Sequence, residues 1–204
     1  MTDRLKDGLE GTPAFGHFRR EEWVDLQQLS SDFRFDIRYA RNDNFLGEAV
    51  YPIAAAYLLK PVAQDLLAVQ ADLLPLGFSL LIFDAYRPWS VTRLFWDRST
   101  PEMRKYLADP AQGSAHNRGC AVDLSLVDLK NNLPVQMPSD FDELNLRAHT
   151  DFQDAPLLAR SLRDLLQAKM KAHRFSGIKN EWWHFNHELA RSSPVINQPI
   201  DGFS

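Results

Sequence analysis

SAHNRGCAVDLSL, residues 114–126, places a histidine and an aspartate seven positions apart with a glycine between them. After Gly119, the apolar residues Val122, Leu124 and Leu126 alternate with polar ones, which predicts a β-strand. The simplest interpretation is a polar loop that leads into this strand. The alternative is that the loop and the strand each carry one ligand of a metal site, and the rest of the chain has to decide between them.

On either side of this strand, predicted strands and helices do not alternate regularly. The clearest helix covers 61–74, where apolar residues recur at helical spacing after Pro61. A second amphipathic helix begins at 157, with Leu158 in its buried stripe and Gly177 as its end. Irregular alternation favours a single α+β domain over residues 1–204, with helices packed on a mainly antiparallel central sheet. Further predictions are strands at 32–40 and 78–86, a loop at 41–51, a helix capped by Ser90 and running through Trp96, and a short helix opened by Pro101.

Composition excludes several classes of protein. The net charge is −4 and charges of both signs are interspersed, so we expect neither nucleic acid nor an anionic membrane surface as a partner. Cys120 is the single cysteine, which excludes a fold held by internal disulfides. The N-terminal sequence lacks the apolar run of a signal peptide, and no stretch approaches the ~20 apolar residues of a membrane helix. We therefore expect a cytoplasmic protein, of an oligomeric state that the sequence does not define.

Two of the six histidines have an acidic residue close by in the sequence. His116 precedes Asp123 in the opening stretch, and His184 ends the sequence EWWH, three residues after Glu181. A catalytic zinc site takes three ligands from His, Asp, Glu or Cys and keeps a fourth position for water. Two imidazoles and one carboxylate suit Zn²⁺. We therefore expect His116, Asp123 and His184 to hold one zinc ion per chain, with Glu181 beside the attacking water as a general base.

This interpretation carries two local expectations. In a regular strand Glu181 and His184 would point to opposite faces, so we expect a bend or a helical turn between them. His187 lies three residues after His184 and could compete as a ligand, but we rank it below His184 and expect it to lie behind the ligands or to face solvent. Cys120 could also bind zinc through a thiolate, although a small buried residue is the favoured interpretation.

Five segments together resemble the D-alanyl-D-alanine dipeptidases, which are zinc peptidases related to D-Ala-D-Ala carboxypeptidases. SAHNRGCAVDLSL and KNEWWHFNHEL resemble the two metal-site motifs of that family. LLIFDAYRP resembles the strand and turn that present its transition-state arginine, and RYARNDNFLG resembles its N-terminal strand and loop. MPSDFDELNLRAHT more loosely resembles the segment that contributes an acidic residue to the substrate's amino end. The match extends over residues 36–187 in the family's order, and Cys120 departs from it by standing where the family has a small residue such as serine.

The resemblance implies a role for each matching residue. It makes His116, Asp123 and His184 the zinc ligands and Glu181 the catalytic acid/base. Arg87 becomes the group that stabilises the oxyanion. Asp142 becomes a candidate partner for the substrate ammonium, and Ser114 for the substrate carboxylate.

Three functions stay open at this point. The first is hydrolysis of the small dipeptide D-Ala-D-Ala to two D-alanines, as the resemblance implies. The second is a zinc D,D-carboxypeptidase that trims peptidoglycan stem peptides with the same metal site and a more open cleft. The third is a binding module that keeps zinc without turnover. An acidic Asp142 favours the first over the second, and the presence of both Glu181 and Arg87 argues against the third.

Overall fold

The computed structural model describes residues 12–203, and the first eleven residues, which bear on the predicted lack of a signal peptide, lie outside that range. Among the described residues, two sheets and four α-helices are joined by loops and short 3₁₀ turns. The strands are β1 Trp23–Asp25, β2 Arg34–Phe35, β3 Tyr57–Leu59, β4 Phe78–Asp84, β5 Ala121–Asp128, β6 Leu133–Pro134, β7 Phe175–Ile178 and β8 Glu181–His187. The helices are α1 Leu26–Leu29, α2 Lys60–Leu73, α3 Trp89–Arg98 and α4 Leu157–Ala172.

The larger sheet is centred on β5, the strand predicted after Gly119. Its order is β2-β4-β5-β8-β7, with the short β6 paired to the far end of β5. Every pairing in it is antiparallel except that of β2 with β4 at the edge. A mixed α+β fold on a mainly antiparallel sheet is therefore confirmed.

The two long helices pack together and cover part of the sheet. In α2, the predicted apolar stripe of Val62, Leu66, Val69 and Leu73 is completely buried, which confirms that helix to within one residue at each end. α4 packs against α2, β7 and β8. No helix within residues 12–203 combines the length and the apolar character that crossing a bilayer requires.

Several local predictions are wrong near the ends of α3 and α4. Ser90 caps nothing, because α3 begins one residue earlier and Pro88 occupies the N-cap position. Leu158 is 69% exposed, since the stripe that faces the sheet begins one residue later along α4. Gly177 does not end this helix, because the chain already turns at Arg174, whose φ of 66° is left-handed, and Gly177 lies inside β7.

Two further segments are less regular than their patterns indicate. Of the strand predicted at 32–40, only Arg34–Phe35 pairs, and the chain then enters a 3₁₀ turn at Arg38–Ala40 that buries Tyr39. The helix predicted after Pro101 is a 3₁₀ turn at Met103–Tyr106. The first turn buries Tyr39 against the core, whereas the second turn has no fully buried residue. The loop at 41–51 contains neither helix nor strand, as predicted.

Candidate metal centre

Three adjacent strands place chemically active side chains at one level of the sheet. Asp123 in β5 pairs with Asp84 in β4 on one side and with His184 in β8 on the other. Side chains of directly opposed residues lie on the same face of a sheet. A shift of register in β4 before Asp84 brings that residue opposite Asp123. The sheet itself therefore aligns two carboxylates and an imidazole in one row.

His116 reaches this row from the loop that precedes β5. It opens a single 3₁₀ turn that ends at Gly119, whose φ of 62° is in the left-handed region. The turn is tied to the end of β4, because the Arg87 amide donates to the His116 carbonyl at 3.2 Å and the Asn117 side chain donates to the Arg87 carbonyl at 2.9 Å. The chain thus folds back on itself, as the sequence predicts, and brings His116 to Asp123.

The three predicted ligands converge on one point. His116 Nε2 lies 3.1 Å from His184 Nδ1 and 3.3 Å from Asp123 Oδ2, and His184 Nδ1 lies 3.0 Å from Asp123 Oδ1. Ligand atoms about 2.0–2.1 Å from a tetrahedral zinc ion lie roughly 3.3–3.4 Å from one another. The donor atoms are therefore about as far apart as the ligands of one zinc ion, with a different oxygen of Asp123 nearest each imidazole.

In each histidine, the ring nitrogen that points away from the other ligands has its own hydrogen-bond partner, and this determines which nitrogen is available to a cation. His116 Nδ1 lies 2.6 Å from the Ala85 carbonyl, and His184 Nε2 lies 2.8 Å from Asn186 Oδ1. Since both partners only accept hydrogen bonds, each of these nitrogens carries the proton. In the neutral rings, the facing nitrogens of His116 and His184 present lone pairs to each other at 3.1 Å, an arrangement that a cation between them stabilises.

The charge of Asp123 completes the donor set. Burial by itself raises the pKa of Asp123, but the neighbouring His116 and His184 outweigh burial and hold the pKa well below its usual range. Asp123 therefore stays ionised and offers an anionic oxygen. Two imidazoles and one carboxylate suit zinc and leave a fourth position open. No other group of three such side chains within residues 12–203 converges in this way.

Glu181 lies at the edge of the same site. Its Oε2 is 3.9 Å from His184 Nδ1, although the two residues belong to one strand and are three positions apart. The pairing of β7 with β8 is irregular between them, and this β-bulge changes the alternation of side chains. The predicted interruption is thus a bulge and not a helical turn. Burial raises the pKa of Glu181 to about 7, with a further upward contribution from Asp123, and this places the carboxyl near the range of an effective general base.

Arg87 is held rigidly beside the metal ligands. Its Nε and Nη2 donate to Asp84 Oδ2 at 2.9 and 2.7 Å, and Nη2 also lies 3.5 Å from Asp123 Oδ2. The guanidinium carbon lies over the rings of Tyr39 and Phe95, 5.1 and 4.8 Å from their centroids. Arg87 also lines the cleft, so its guanidinium can reach a ligand there.

The predicted substrate contacts lie in the same cleft, which has a volume of about 850 Å³ and is also lined by Arg87 and Glu181. Asp142 lies in its wall and accepts a hydrogen bond from the Tyr39 hydroxyl at 3.0 Å. Burial raises the pKa of Asp142 well above its usual value, and the Asp123 carboxylate adds to this effect. Ser114 Oγ accepts the His116 amide at 3.1 Å, so its hydroxyl hydrogen can be donated to a ligand. The structure thus brings every predicted site residue to one cleft.

The competing ligands lie elsewhere. His187 is 1% exposed, so it does not face solvent, and its Nε2 is 2.8 Å from Asp65 on α2. Its Nδ1 accepts the Leu189 amide, which leaves no ring nitrogen for a metal. Cys120 is buried, as expected of a small core residue, and its thiol lies 3.2 Å from the Arg118 carbonyl. Neither residue belongs to the converging set of ligands.

Three supporting residues were missed in the sequence. Asp84 anchors Arg87, Asn117 ties the His116 turn to the end of β4, and Asn186 contacts His184. Asn186 could have been found, because residues two apart in a strand share a face, and Asp84 because it ends a buried strand three residues before an arginine. The role of Asn117 depends on the approach of two loops that no local pattern encodes.

The chain matches one family over nearly its whole length. The family model of peptidase family M15, described as D-Ala-D-Ala dipeptidase, matches residues 19–203. A curated D-alanyl-D-alanine dipeptidase of Escherichia coli (strain K12) is 38% identical over 183 residues, which cover 89% of this chain and 93% of the relative. Another, from Enterococcus faecalis, is 31% identical over 180 residues, which cover 78% and 88% of the two chains.

A comparison of folds found a solved structure of LdcB, an LD-carboxypeptidase. The alignment covers 67% of this chain and 63% of that one, at 16% identity and with a TM-score of 0.42. The sequence matches extend further along both chains, and they are the comparisons that bear on the family.

Proposed function

The chain belongs to the peptidase M15 family of D-Ala-D-Ala dipeptidases, and on that premise we propose that it hydrolyses the D-Ala-D-Ala dipeptide to two D-alanines with the help of zinc. The observation that carries this proposal is the convergence of His116, Asp123 and His184 within a cleft that also contains Glu181 and Arg87. These five groups supply a metal site, a base and a cation within one cavity. Together they are sufficient for metal-assisted hydrolysis of an amide bond.

In this proposal His116 Nε2, His184 Nδ1 and an oxygen of Asp123 hold one zinc ion. When bound, zinc supplies Lewis-acid chemistry, since it acidifies water and polarises a carbonyl group. The Ala85 carbonyl and the Asn186 amide oxygen would hold the neutral imidazoles in the tautomer that binds a metal. The protein thereby orients the ligands before any ion arrives.

Glu181 handles the proton. It lies beside the metal ligands, and its raised pKa allows it to take a proton from the attacking water and to pass that proton to the leaving amine. The residue is only 9% exposed, so bulk water does not compete strongly for that proton. The alternative base, His187, is committed to Asp65 and has no free nitrogen.

Arg87 stabilises the negative charge that develops on the scissile carbonyl oxygen. Its guanidinium cannot turn freely, because Asp84 accepts two hydrogen bonds from it and it packs against two aromatic rings. A preorganised donor of this kind costs little reorganisation in the transition state. This guanidinium, which lines the cleft, is the donor that we assign to the oxyanion.

The two charged ends of the dipeptide are the groups by which the enzyme would bind it. We assign the substrate ammonium to Asp142, whose position beside Tyr39 in the cleft wall supports an ionic contact there. We assign the substrate carboxylate to the Ser114 hydroxyl, which has a hydrogen to donate. A dipeptide carries both charged groups close to its scissile bond, whereas a longer stem peptide lacks the ammonium at that position.

The proposal also includes the extent and the location of the enzyme. We propose that residues 1–204 form one catalytic domain, which the single cluster of buried apolar side chains within residues 12–203 supports. A cytoplasmic location stays a prediction, supported by the single cysteine.

The decisive experiment compares free D-Ala-D-Ala with its N-acetylated form and with a pentapeptide stem, in the presence of zinc. We expect cleavage of the free dipeptide and a preference of ~10²-fold or more over the blocked forms, because a buried carboxylate left without its cation is costly. Asp142→Asn should reduce this preference without changing the zinc content. Asp140→Asn, an exposed aspartate two residues away, is the matched control and should leave the preference unchanged.

Other outcomes would identify the alternatives. Efficient release of the terminal D-alanine from N-acylated peptides would replace the dipeptidase with a D,D-carboxypeptidase that uses the same zinc site. Tight zinc binding without turnover of any of the three peptides would indicate a binding module.

A further inference from the structure

The two histidines of the metal centre are supported in different ways. His116 donates from Nδ1 to a backbone carbonyl, that of Ala85, which no substitution at that residue can remove. His184 instead donates from Nε2 to a side chain, the amide of Asn186, at 2.8 Å. The support of His184 is therefore encoded by the identity of one residue.

The backbone around Asn186 fixes the position of that amide. Asn186 follows His184 by two residues in β8, so both side chains lie on one face of the strand. On either side it pairs with Ala121 of β5 and Ser176 of β7, and the Ser176 hydroxyl donates to its carbonyl at 3.3 Å. The amide oxygen is thus presented to the imidazole from the interior of the sheet.

The amide and the imidazole fix each other's hydrogen-bonding state. With the oxygen of Asn186 towards the ring, Nε2 must carry a proton, so in the neutral imidazole Nδ1 keeps its lone pair towards Asp123 and His116. The opposite orientation of the amide would place an N–H against Nε2 and favour a proton on Nδ1, the atom that faces the other ligands. Only the first combination leaves His184 able to bind a metal.

We propose that Asn186 is a positioning residue whose amide oxygen holds His184 in its metal-binding tautomer and orientation and thereby determines the affinity of the site for zinc. This inference rests on the proposed zinc site and extends it to a residue outside the set of metal ligands. Hydrogen-bond acceptors behind metal-bound histidines typically change metal affinity by ~10–100-fold.

The test measures the zinc dissociation constant by competition with a chelator, for the wild type and three variants. Asn186→Leu keeps the approximate volume and removes the acceptor, so zinc should bind ~10–100-fold more weakly. Asn186→Asp restores an acceptor and should bind zinc at least as tightly as the wild type. Asn180→Ala is the matched control, since Asn180 also lines the cleft but donates to the Lys105 carbonyl, and it should leave the affinity unchanged.

A second measurement separates positioning from folding. The thermal unfolding of the metal-free variants should stay close to that of the metal-free wild type, because the hydrogen bond orients a ligand and contributes little else. At saturating zinc, Asn186→Leu should recover most of its turnover.

Each possible result leads to a different conclusion about Asn186. Equal zinc affinity in Asn186→Leu and the wild type would overturn the role of Asn186 and leave the proposed function standing. An equal loss in Asn186→Leu and Asn186→Asp would assign the residue to packing and would also overturn the inference. If the wild type itself bound no zinc, both this inference and the proposed function would fall.

Discussion

At the scale of single residues, the carboxyl group of Glu181 carries the proton chemistry of the proposed reaction. Glu181→Gln preserves the size of the side chain and removes the ionisable group. We expect zinc content to stay the same and kcat to fall by at least ~10²-fold, the lower range for general acid–base catalysis. Elemental analysis and steady-state kinetics on D-Ala-D-Ala measure the two effects separately.

Glu188 provides the control for this prediction. It also lines the cleft and carries a carboxylate, but its side chain is 58% exposed and lies 3.6 Å from Arg174. Glu188→Gln should therefore have nearly normal turnover. Nearly normal turnover in Glu181→Gln, by contrast, would require that another group transfers the proton.

Arg87 is the second single residue on which the proposed reaction depends, and it acts by stabilising negative charge and not by transferring a proton. An oxyanion donor contributes more in the transition state than in the ground state, so Arg87→Ala should lower kcat by ~10²–10³-fold and affect KM less. The alanine variant also leaves Asp84, which is 1% exposed, without its cation, and this costs stability. Arg87→Lys keeps the charge beside Asp84 but loses the planar fork, and it should fold while remaining impaired in kcat.

Arg38 tests whether such an effect is specific to the cleft. It too stacks on aromatic rings, those of Phe83 and Phe141, and it pairs with Asp36 at 2.7 Å, but it does not line the metal cleft. Arg38→Lys should leave kcat unchanged. A normal kcat with only a raised KM in the Arg87 variants would instead place Arg87 in ground-state binding of the substrate.

At the scale of elements, the turn before β5 holds His116 and Asp123 together. Gly119 has a φ of 62°, and a Cβ there would clash with the ring of Trp23, which is 5% exposed. Gly119→Ala should therefore cost more than the ~1–3 kcal/mol of left-handed backbone strain alone. It should also reduce zinc content, because relief of the clash displaces the turn that carries His116.

Gly77 provides a control that has the backbone strain of Gly119 without the steric clash. Its φ of 85° is also left-handed, but a Cβ there would meet nothing within 4 Å, and the residue lies at the opposite end of β4 from Asp84. Gly77→Ala should lose stability in chemical denaturation while retaining zinc and activity. If Gly119→Ala also retained full zinc content, the turn would not be needed to place His116.

The elements show why local patterns predict some of this fold and not the rest. The α2 helix and the β4 and β5 strands are predicted closely, because each buries a continuous apolar pattern of one period. The end of α4 is not predicted, because Arg174 takes the left-handed conformation that its pattern assigns to Gly177. The 32–40 segment alternates like a strand, yet most of it has no neighbouring strand with which to pair.

At the scale of the whole molecule, the ligand set could be predicted but its construction could not. His116, Asp123 and His184 are recognisable as residue types suited to zinc, and their motifs resemble a known family. Their distances depend on the register of β4, β5 and β8 and on a bulge in the last of these, which are long-range properties. The anchors Asp84 and Asn186 follow from the same register, so they emerge only when the strands are placed together.

Because the zinc ligands come from separate parts of the chain, we expect bound zinc to stabilise the folded state as well as to take part in the reaction. The ligands belong to the turn before β5, to β5 and to β8. A ligand that binds only the folded state stabilises it by ~2.7 kcal/mol when its free concentration is a hundredfold above the dissociation constant. For a domain of this size, removal of zinc by a chelator should therefore lower the Tm by ~5–10 °C.

His116→Ala tests both whether His116 is a zinc ligand and whether zinc stabilises the fold. It removes one of three donors, so we expect the variant to lose most of its bound metal and all of its activity. Its Tm should no longer respond to zinc, because a site with two protein ligands binds the ion too weakly to stabilise the fold. His173→Ala is the control, since His173 lies 3.3 Å from Asp72, away from the cleft, and it should keep the full zinc-dependent shift. A full complement of zinc in His116→Ala, measured by elemental analysis, would show that the metal is held elsewhere.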